Sequence, residues 1–348
     1  MRVAFVSLLT PEHGVTPARA RTRRVARGLV DRGHDVVWLC ARWWGGNANT
    51  FESDGFTYRA VVGDPAPAVF AARLPAAVRR VAPDIVHAVN SPSMPALAAT
   101  VTRRLRGPPV LVDWWRDHPA DSRRGYRLLA RDADAITTPS RTTKTRVREH
   151  GAAGSAVRVV PESIDTDLIA DAPVDDRFDA VYSRRLDRHA NVETFLLALA
   201  EIRGRDWTAA VIGDGPERER VESTARDLRI ADRVSFLGDC SVEERVSIFK
   251  GTHVFAQTAT WETFATELLL ALACGCVGLV EYQADSSAHE LVEGRTRGRL
   301  VTSPAELAEE LVSVSELERR PTEPEFDSYD HDAVLDRYVD LYTELAAE

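Results

Sequence analysis

The sequence predicts an α/β protein built from two parallel, doubly wound domains, and three observations lead there. Apolar runs of strand length alternate with helical stretches almost from end to end. The alternation breaks once, over the acidic stretch from Asp165 to Phe178, which has no sustained apolar period. After that break the same strand-then-helix pattern starts again.

The first series opens with Val3 to Ser7, an arginine-rich helical stretch from Ala18 to Gly33, and the strand Val36 to Cys40. Further strands centre on Asp84 to His87, Val110 to Asp113, Ala135 to Thr138 and Val157 to Val160. The second series runs from Ala180 to Tyr182 through a helix over Asn191 to Arg203 to the strand Thr208 to Ile212, closed by Gly213-Asp214-Gly215-Pro216. A helix from Glu217 to Leu228 then leads to Val234 to Gly238.

A βαβ unit follows: strand His253 to Ala256, a loop through Trp261 and Glu262, a helix from Thr266 stopped by Gly275, and strand Val277 to Val280. The tail carries Val334, Leu335, Tyr338, Leu341, Tyr342 and Leu345 at helical spacing, so a terminal helix packing back on the first domain is expected. The expected domains are residues 1–170 and 171–328, followed by that helix over 329–348. In doubly wound sheets ligands sit at the carboxyl ends of the strands, and two such domains leave a cleft for a large, two-part substrate.

With 348 residues and 44% hydrophobic content, the chain can fill two cores. It contains no run of about 18 apolar residues, and its start lacks the layout of a signal peptide, so a cytoplasmic protein is expected. Cys40, Cys240, Cys274 and Cys276 have neither the density of a disulfide framework nor metal-knuckle spacing, and they read as small buried side chains. The net charge of −9 is split unevenly: residues 1–150 hold 24 Lys+Arg against 13 Asp+Glu, and the remainder 20 against 40. The basic first half, with Arg19, Arg21, Arg23 and Arg24 on one helical stretch, points to a face for an anionic membrane rather than for nucleic acid.

Three loops carry candidate chemistry. Gly213 and Gly215 stand at a strand end just before a helix, where glycine lets the backbone turn tightly and approach a ligand. Gly14 occupies the equivalent place in the first domain, ahead of a helix whose amino-terminus attracts phosphate. Arg184, Arg185 and Arg188 crowd a third strand-end loop, and arginine's fork matches phosphate oxygens. Glu262 and Glu267 place two carboxylates at a loop-to-helix junction.

Taken together and in order, Arg185-Leu186, Gly213-Asp214-Gly215-Pro216, Phe236-Leu237-Gly238, Glu262-Thr263-Phe264 and Ala271 to Gly275 resemble the carboxyl-domain pattern of the family 4 glycosyltransferases. Looser likenesses in the first half include Gly14, Arg32-Gly33-His34 and Pro83 to His87. The resemblance implies the GT-B fold, with the two domains facing across a cleft, and a retaining transfer of a sugar from a UDP- or GDP-type donor to a glycan or lipid-linked acceptor. Neither a cofactor nor a metal is implied. By position, Arg185 would neutralise the departing diphosphate and Glu262 would grip the transferred sugar. The backbone at Phe264 and Ala265, with Gly14, would meet the phosphates, and backbone near Gly238 would recognise the base.

Three departures matter. The family's lysine after the GRL-type loop is Ala190, for which Arg184 or Arg188 would substitute. The glycines of its E-G-F-G loop are Thr263 and Ala265. Its second glutamate falls on Leu270, with Glu267 three residues earlier as the substitute that would hold the ribose. These losses also admit a catalytically impaired relative serving as a scaffold or regulatory subunit. On the acceptor side the candidates are His87, Asp117 and His118 as bases at strand ends, and Trp115 as a stacking surface.

Overall fold

The computed structural model describes residues 1–117 and 122–347. The chain divides into two compact units, one of Met1–Glu162 with Asp332–Glu348 and one of Ser163–His331.

In the first unit the strands are β1 (Arg2–Val6), β2 (Asp35–Ala41), β3 (Thr50–Ser53), β4 (Phe56–Val62), β5 (Ile85–Val89), β6 (Val110–Asp113), β7 (Ala135–Thr138) and β8 (Val157–Val159). Among the described residues they form one sheet in the order β3-β4-β2-β1-β5-β6-β7-β8, parallel except for the β3–β4 hairpin at its edge. Helices α1 (Pro17–Asp31), α2 (Pro67–Val81), α3 (Ser93–Arg104), α4 (Arg123–Asp132) and α5 (Arg141–Glu149) make the crossovers.

Because side chains alternate across a strand, the central strands are apolar on both faces and serve two cores. Ala4, Val6, Val37 and Val86 meet Phe70, Leu74, Ala96 and Leu129 on one face. Val3, Phe5, Trp38 and Ile85 meet Val25 and Leu29 on the other, together with Leu335, Tyr338 and Tyr342.

The second unit begins with the short helix α6 (Thr166–Asp171) and then alternates β9 (Ala180–Ser183), α7 (Val192–Glu201), β10 (Ala209–Ile212), α8 (Arg218–Asp227), β11 (Val234–Gly238), α9 (Val242–Gly251) and β12 (Val254–Gln257). The two-residue strand β13 (Trp261–Glu262) precedes α10 (Thr266–Ala273) and β14 (Val277–Glu281), and β15 (Asp285–Ser286) pairs back with β13. After β16 (Gly298–Val301) and α11 (Pro304–Ser313), the terminal helix α12 (His331–Ala347) belongs to the first unit from Asp332 onward. The second sheet is parallel throughout, in the order β11-β10-β9-β12-β14-β16. Gly275 ends α10 as expected, at φ +84°, its N–H bonded to the Leu272 carbonyl.

A buried network carries the charge of Arg21, on α1, into the first core and to Tyr338 of α12. Arg21, 2% exposed, donates to Asp113 Oδ2 at 3.3 Å, to the carbonyls of Val160 and Pro161, and to Tyr338 Oη. This corrects the expectation that Arg19, Arg21, Arg23 and Arg24 form one exposed basic face. Arg21 is interior, Arg23 pairs with Glu12 and Asp54, and Arg24 pairs with Glu162.

Candidate active site

A parallel sheet ends all its strands on one edge, and at that edge of the second sheet three loops interlock. The turn Gly213 to Pro216 after β10 is stitched to the loop after β9: Arg184 N–H donates to the Ile212 carbonyl, Leu186 N–H to Asp214, and Glu217 N–H to Leu186. A β-carbon on Gly213 would stand 2.1 Å from the Arg184 carbonyl oxygen, and one on Gly215 would stand 2.2 Å from that of Leu186. What fills the space beside these glycines is therefore the neighbouring loop, so loop packing demands them before any ligand does. Gly238, at φ +70°, ends β11 and accepts from Gly213 N–H at 2.7 Å.

The three arginines of the β9 loop part company. Arg184 is consumed internally: Nε donates to Glu262 Oε2 at 3.0 Å, Nη1 to Asp187 Oδ1 at 2.7 Å and Nη2 to the Trp261 carbonyl at 3.2 Å. It is thus not a spare phosphate cation, because two carboxylates already balance it. Arg185 and Arg188 are exposed, and Arg188 Nε donates to His189 Nε2 at 3.0 Å. At the position of the missing lysine, Ala190 is buried and its carbonyl accepts from Tyr182 Oη at 2.6 Å.

Glu262 lies on β13 with its side chain 19% exposed. Burial pushes its carboxyl above the usual range, while Arg184 works against that rise. Glu267, in the first turn of α10, accepts from Ser183 Oγ at 3.1 Å and pairs with Arg245 Nε at 2.9 Å. Its carboxyl is likewise raised by burial, with Arg245 and Ser183 opposing. The carboxylate thus points at the carboxyl end of β9. Leu270 itself is a core side chain. No side chain caps the amino-terminus of α10, where Ala265 is the capping residue and Phe264 and Ala265 are both buried.

Four participants escaped the sequence reading: Asp187, Asn191, Arg245 and Glu281. Asn191, left-handed at φ +50°, donates to the Thr258 carbonyl and to Glu281 Oε2 at 2.8 Å, tying the loops after β9, β12 and β14 together. Of the four, only Glu281 ends a strand, as the last residue of β14, so polarity at strand ends signalled one of them. Among the described residues no three of His, Cys, Asp or Glu gather where they would hold a metal ion.

In the first unit, Gly14 has φ +133° and its carbonyl accepts from Arg19 Nη1 at 2.7 Å. The acceptor-side candidates fare less well. His87 is mid-strand and fully buried, stacked on Phe5 and hydrogen-bonded through Nδ1 to Tyr342 Oη at 2.6 Å. Burial lowers its pKa to about 4, and these features mark a core residue in place of a strand-end base. Trp115 is buried beside the Arg21 guanidinium. Asp117 accepts from Trp114 Nε1 at 2.9 Å and faces His150 Nε2 at 2.7 Å, so it brackets two rings. His118 lies outside the described residues.

Two family models match in tandem: Glycosyltransferase Family 4 over residues 18–168 and Glycosyl transferases group 1 over residues 165–326. The GDP-mannose-dependent alpha-(1-6)-phosphatidylinositol monomannoside mannosyltransferase of Mycolicibacterium smegmatis is 28% identical over 195 residues, 50% of this chain and 51% of that protein. The chain thus spans about half the length of this curated relative. Among solved structures, the sucrose-phosphate synthase of Thermosynechococcus elongatus has TM-score 0.79 at 16% identity, covering 100% of this chain and 99% of the other. Anabaena HepE in complex with UDP has TM-score 0.77 at 16% identity, covering 99% and 100%. With two family models spanning most of its length in sequence order, and two Rossmann-like sheets of the kind found in the GT-B fold, this chain belongs to the family 4, group 1 glycosyltransferases.

Proposed function

We propose that this protein is a retaining glycosyltransferase that moves a hexose from a UDP- or GDP-sugar to a glycan or lipid-linked acceptor. The observation that carries this reading is that consecutive residues at the carboxyl end of β9, Ser183 and Arg184, hold Glu267 and Glu262, with the exposed Arg185 next in the chain and no side chain capping the start of α10. The first unit, Met1–Glu162 with Asp332–Glu348, acts on the acceptor side, and the second, Ser163–His331, on the donor side.

The proposed roles follow from charge. Arg185, with Arg188 nearby, meets the diphosphate as negative charge develops on it, and the N–H groups that open α10 add a partial positive charge. Glu262, steered by Arg184, accepts hydrogen bonds from hydroxyls of the transferred sugar. Glu267 accepts from the ribose hydroxyls in place of the family's second glutamate. Gly14 approaches the phosphates from the first domain, and backbone at Gly238 reads the base. Front-side attack lets the leaving phosphate take the acceptor proton, which suits a site whose buried His87 offers no base. Support for the donor class comes from a relative named as GDP-mannose-dependent and from a structural neighbour crystallised with UDP.

The second reading, a donor-binding scaffold without turnover, is favoured by buried Ala190 and buried Leu270 at two positions of the family's machinery. Purified chain with UDP- and GDP-sugars separates the two. Donor hydrolysis or transfer by the chain alone supports the enzyme. Thermal stabilisation by a donor, about 2.7 kcal/mol at a hundred times its dissociation constant, without turnover supports the scaffold.

A further inference from the structure

The carboxyl edge of the second sheet continues past Glu262. Its strands stand in the order β11-β10-β9-β12-β14-β16, and the donor roles proposed above follow that order, with the base at Gly238 on β11, the ribose and phosphates at the β9 loop, and the sugar at Glu262 after β12. Neighbouring strands lie about 4.8 Å apart, so the loop after β14 is the next structure beyond the sugar. That loop holds Tyr282 and His289.

Two ties fix this loop against Glu262. Its short strand β15 pairs with β13 in register, Asp285 opposite Trp261 and Ser286 opposite Glu262. Ser287 N–H donates to the Glu262 carbonyl at 3.0 Å, and Ser287 Oγ donates to the Thr263 carbonyl at 2.7 Å. His289 follows in a single 3-10 turn over Ala288–Leu291, its Nδ1 2.9 Å from the Ser286 carbonyl. A carbonyl only accepts, so this bond puts the ring proton on Nδ1 and leaves Nε2 of the neutral imidazole as a bare acceptor. Nε2 has no partner among the described residues, and it is not shut away from solvent.

Tyr282 stands on the same side of the sheet as α10. Side chains alternate along a strand, and a β-carbon on Gly278 would meet Leu268 and Leu272 of α10. Tyr282, whose N–H carries the ladder on to the Val301 carbonyl, is four residues further and falls on that side too. Its ring is 52% exposed and centred 5.2 Å from the His289 ring. An open aromatic surface beside a lone-pair nitrogen suits a hexose, which offers C–H groups to the one and a hydroxyl to the other.

We propose that Tyr282 and His289 form the outer wall of the sugar subsite, with His289 Nε2 accepting from one hydroxyl of the transferred hexose and so selecting sugars that carry it. The subsite rests on the donor reading proposed for this edge. An acceptor placed for a hydroxyl disfavours the analogue lacking it, because the acceptor is then left unpaired.

The test is titration calorimetry of the full chain with UDP, GDP, UDP-glucose and GDP-mannose, and then with the monodeoxy forms of whichever sugar binds tighter. His289→Ala should weaken the nucleotide-sugar about tenfold and leave the matching nucleoside diphosphate unaltered. One monodeoxy donor should bind wild type about tenfold more weakly than its parent, and His289→Ala should bind the two alike. His289→Gln, whose amide oxygen accepts, should recover part of the loss. Tyr282→Ala should weaken parent and deoxy donors together, roughly threefold.

Equal weakening of sugar and diphosphate in His289→Ala describes a collapsed loop and overturns the proposal. So does a wild-type chain indifferent to every deoxy change, or discrimination that survives His289→Ala. Wild-type chain that binds none of the four nucleotides removes the donor reading and this subsite with it, whereas wild-type binding that both alanine variants leave unchanged removes the subsite alone. Binding is the readout, so a chain without turnover is tested equally.

Discussion

The Arg184 guanidinium holds the Glu262 carboxylate at 3.0 Å, Nε to Oε2, across 78 residues of sequence. The acid proposed to touch the donor sugar is thus oriented, and kept chargeable, by a neighbouring loop. Burial raises this carboxyl and Arg184 lowers it, so removing the arginine leaves burial unopposed and pushes the group higher still. Arg184→Ala should move the acid limb of the kcat/KM profile to higher pH, and Arg184→Lys should move it less. A limb that stays in place in Arg184→Ala would show that ionised Glu262 is not needed for transfer.

Arg185 is exposed, so its loss should leave stability alone while removing a cation from the leaving group. Arg185→Ala should lower kcat by about 10²- to 10³-fold with an unchanged melting midpoint. Glu262→Ala should abolish transfer. Steady-state kinetics beside thermal melts would check both, and wild-type turnover in either variant removes that residue from the site.

Glu267 is proposed to stand in for the family's second glutamate, whose position here is Leu270, and substitutions at the two should separate binding from folding. Glu267→Ala should raise the donor KM by about tenfold while kcat falls less, as expected for lost hydrogen bonds to a part of the donor remote from the reacting bond. Leu270→Glu should not restore anything. It puts a carboxylate into a core position and should cost about 3 kcal/mol or more, read by denaturant unfolding.

Gly213→Ala should disturb the site from outside it. The added carbon would face the Arg184 carbonyl oxygen at 2.1 Å with the backbone at φ +122°, so the loop bearing Arg184 and Arg185 must shift. A loss of about 1–3 kcal/mol with a larger fall in kcat than in donor affinity is expected. Calorimetry and kinetics on one preparation would show whether stability and kcat fall together.

His87 makes stability pH-dependent. Its pKa in the fold is about 4, below the ordinary 6.5, so the unfolded chain binds the extra proton first as pH falls. The stability from keeping it neutral is present above pH 6.5 and is lost as pH drops toward about 4, by on the order of 3 kcal/mol. His87→Gln should flatten the slope of unfolding free energy across that window. An identical slope in the variant would place the pH dependence elsewhere.

Most central strands were legible because their apolar runs are local. Val110 to Asp113, Ala135 to Thr138 and Val234 to Gly238 appear as read. The β3–β4 hairpin was not, since Thr50-Phe51-Glu52-Ser53 is a polar, exposed edge with little apolar signal. His87 was misread because its strand runs on to Val89, which turns an apparent strand end into an interior position.

What the sequence determines by itself is the order of strands and helices, the family's motif series and the uneven spread of charge. Those signals repeat over a few residues and need no partner. Tertiary structure alone decides which charges are free. Arg21 meets Asp113 across 92 residues and Arg184 meets Glu262 across 78, and a long-range ion pair leaves no periodicity to read. The same arginine content therefore yields a buried strut at Arg21, a carboxylate clamp at Arg184 and an exposed cation at Arg185.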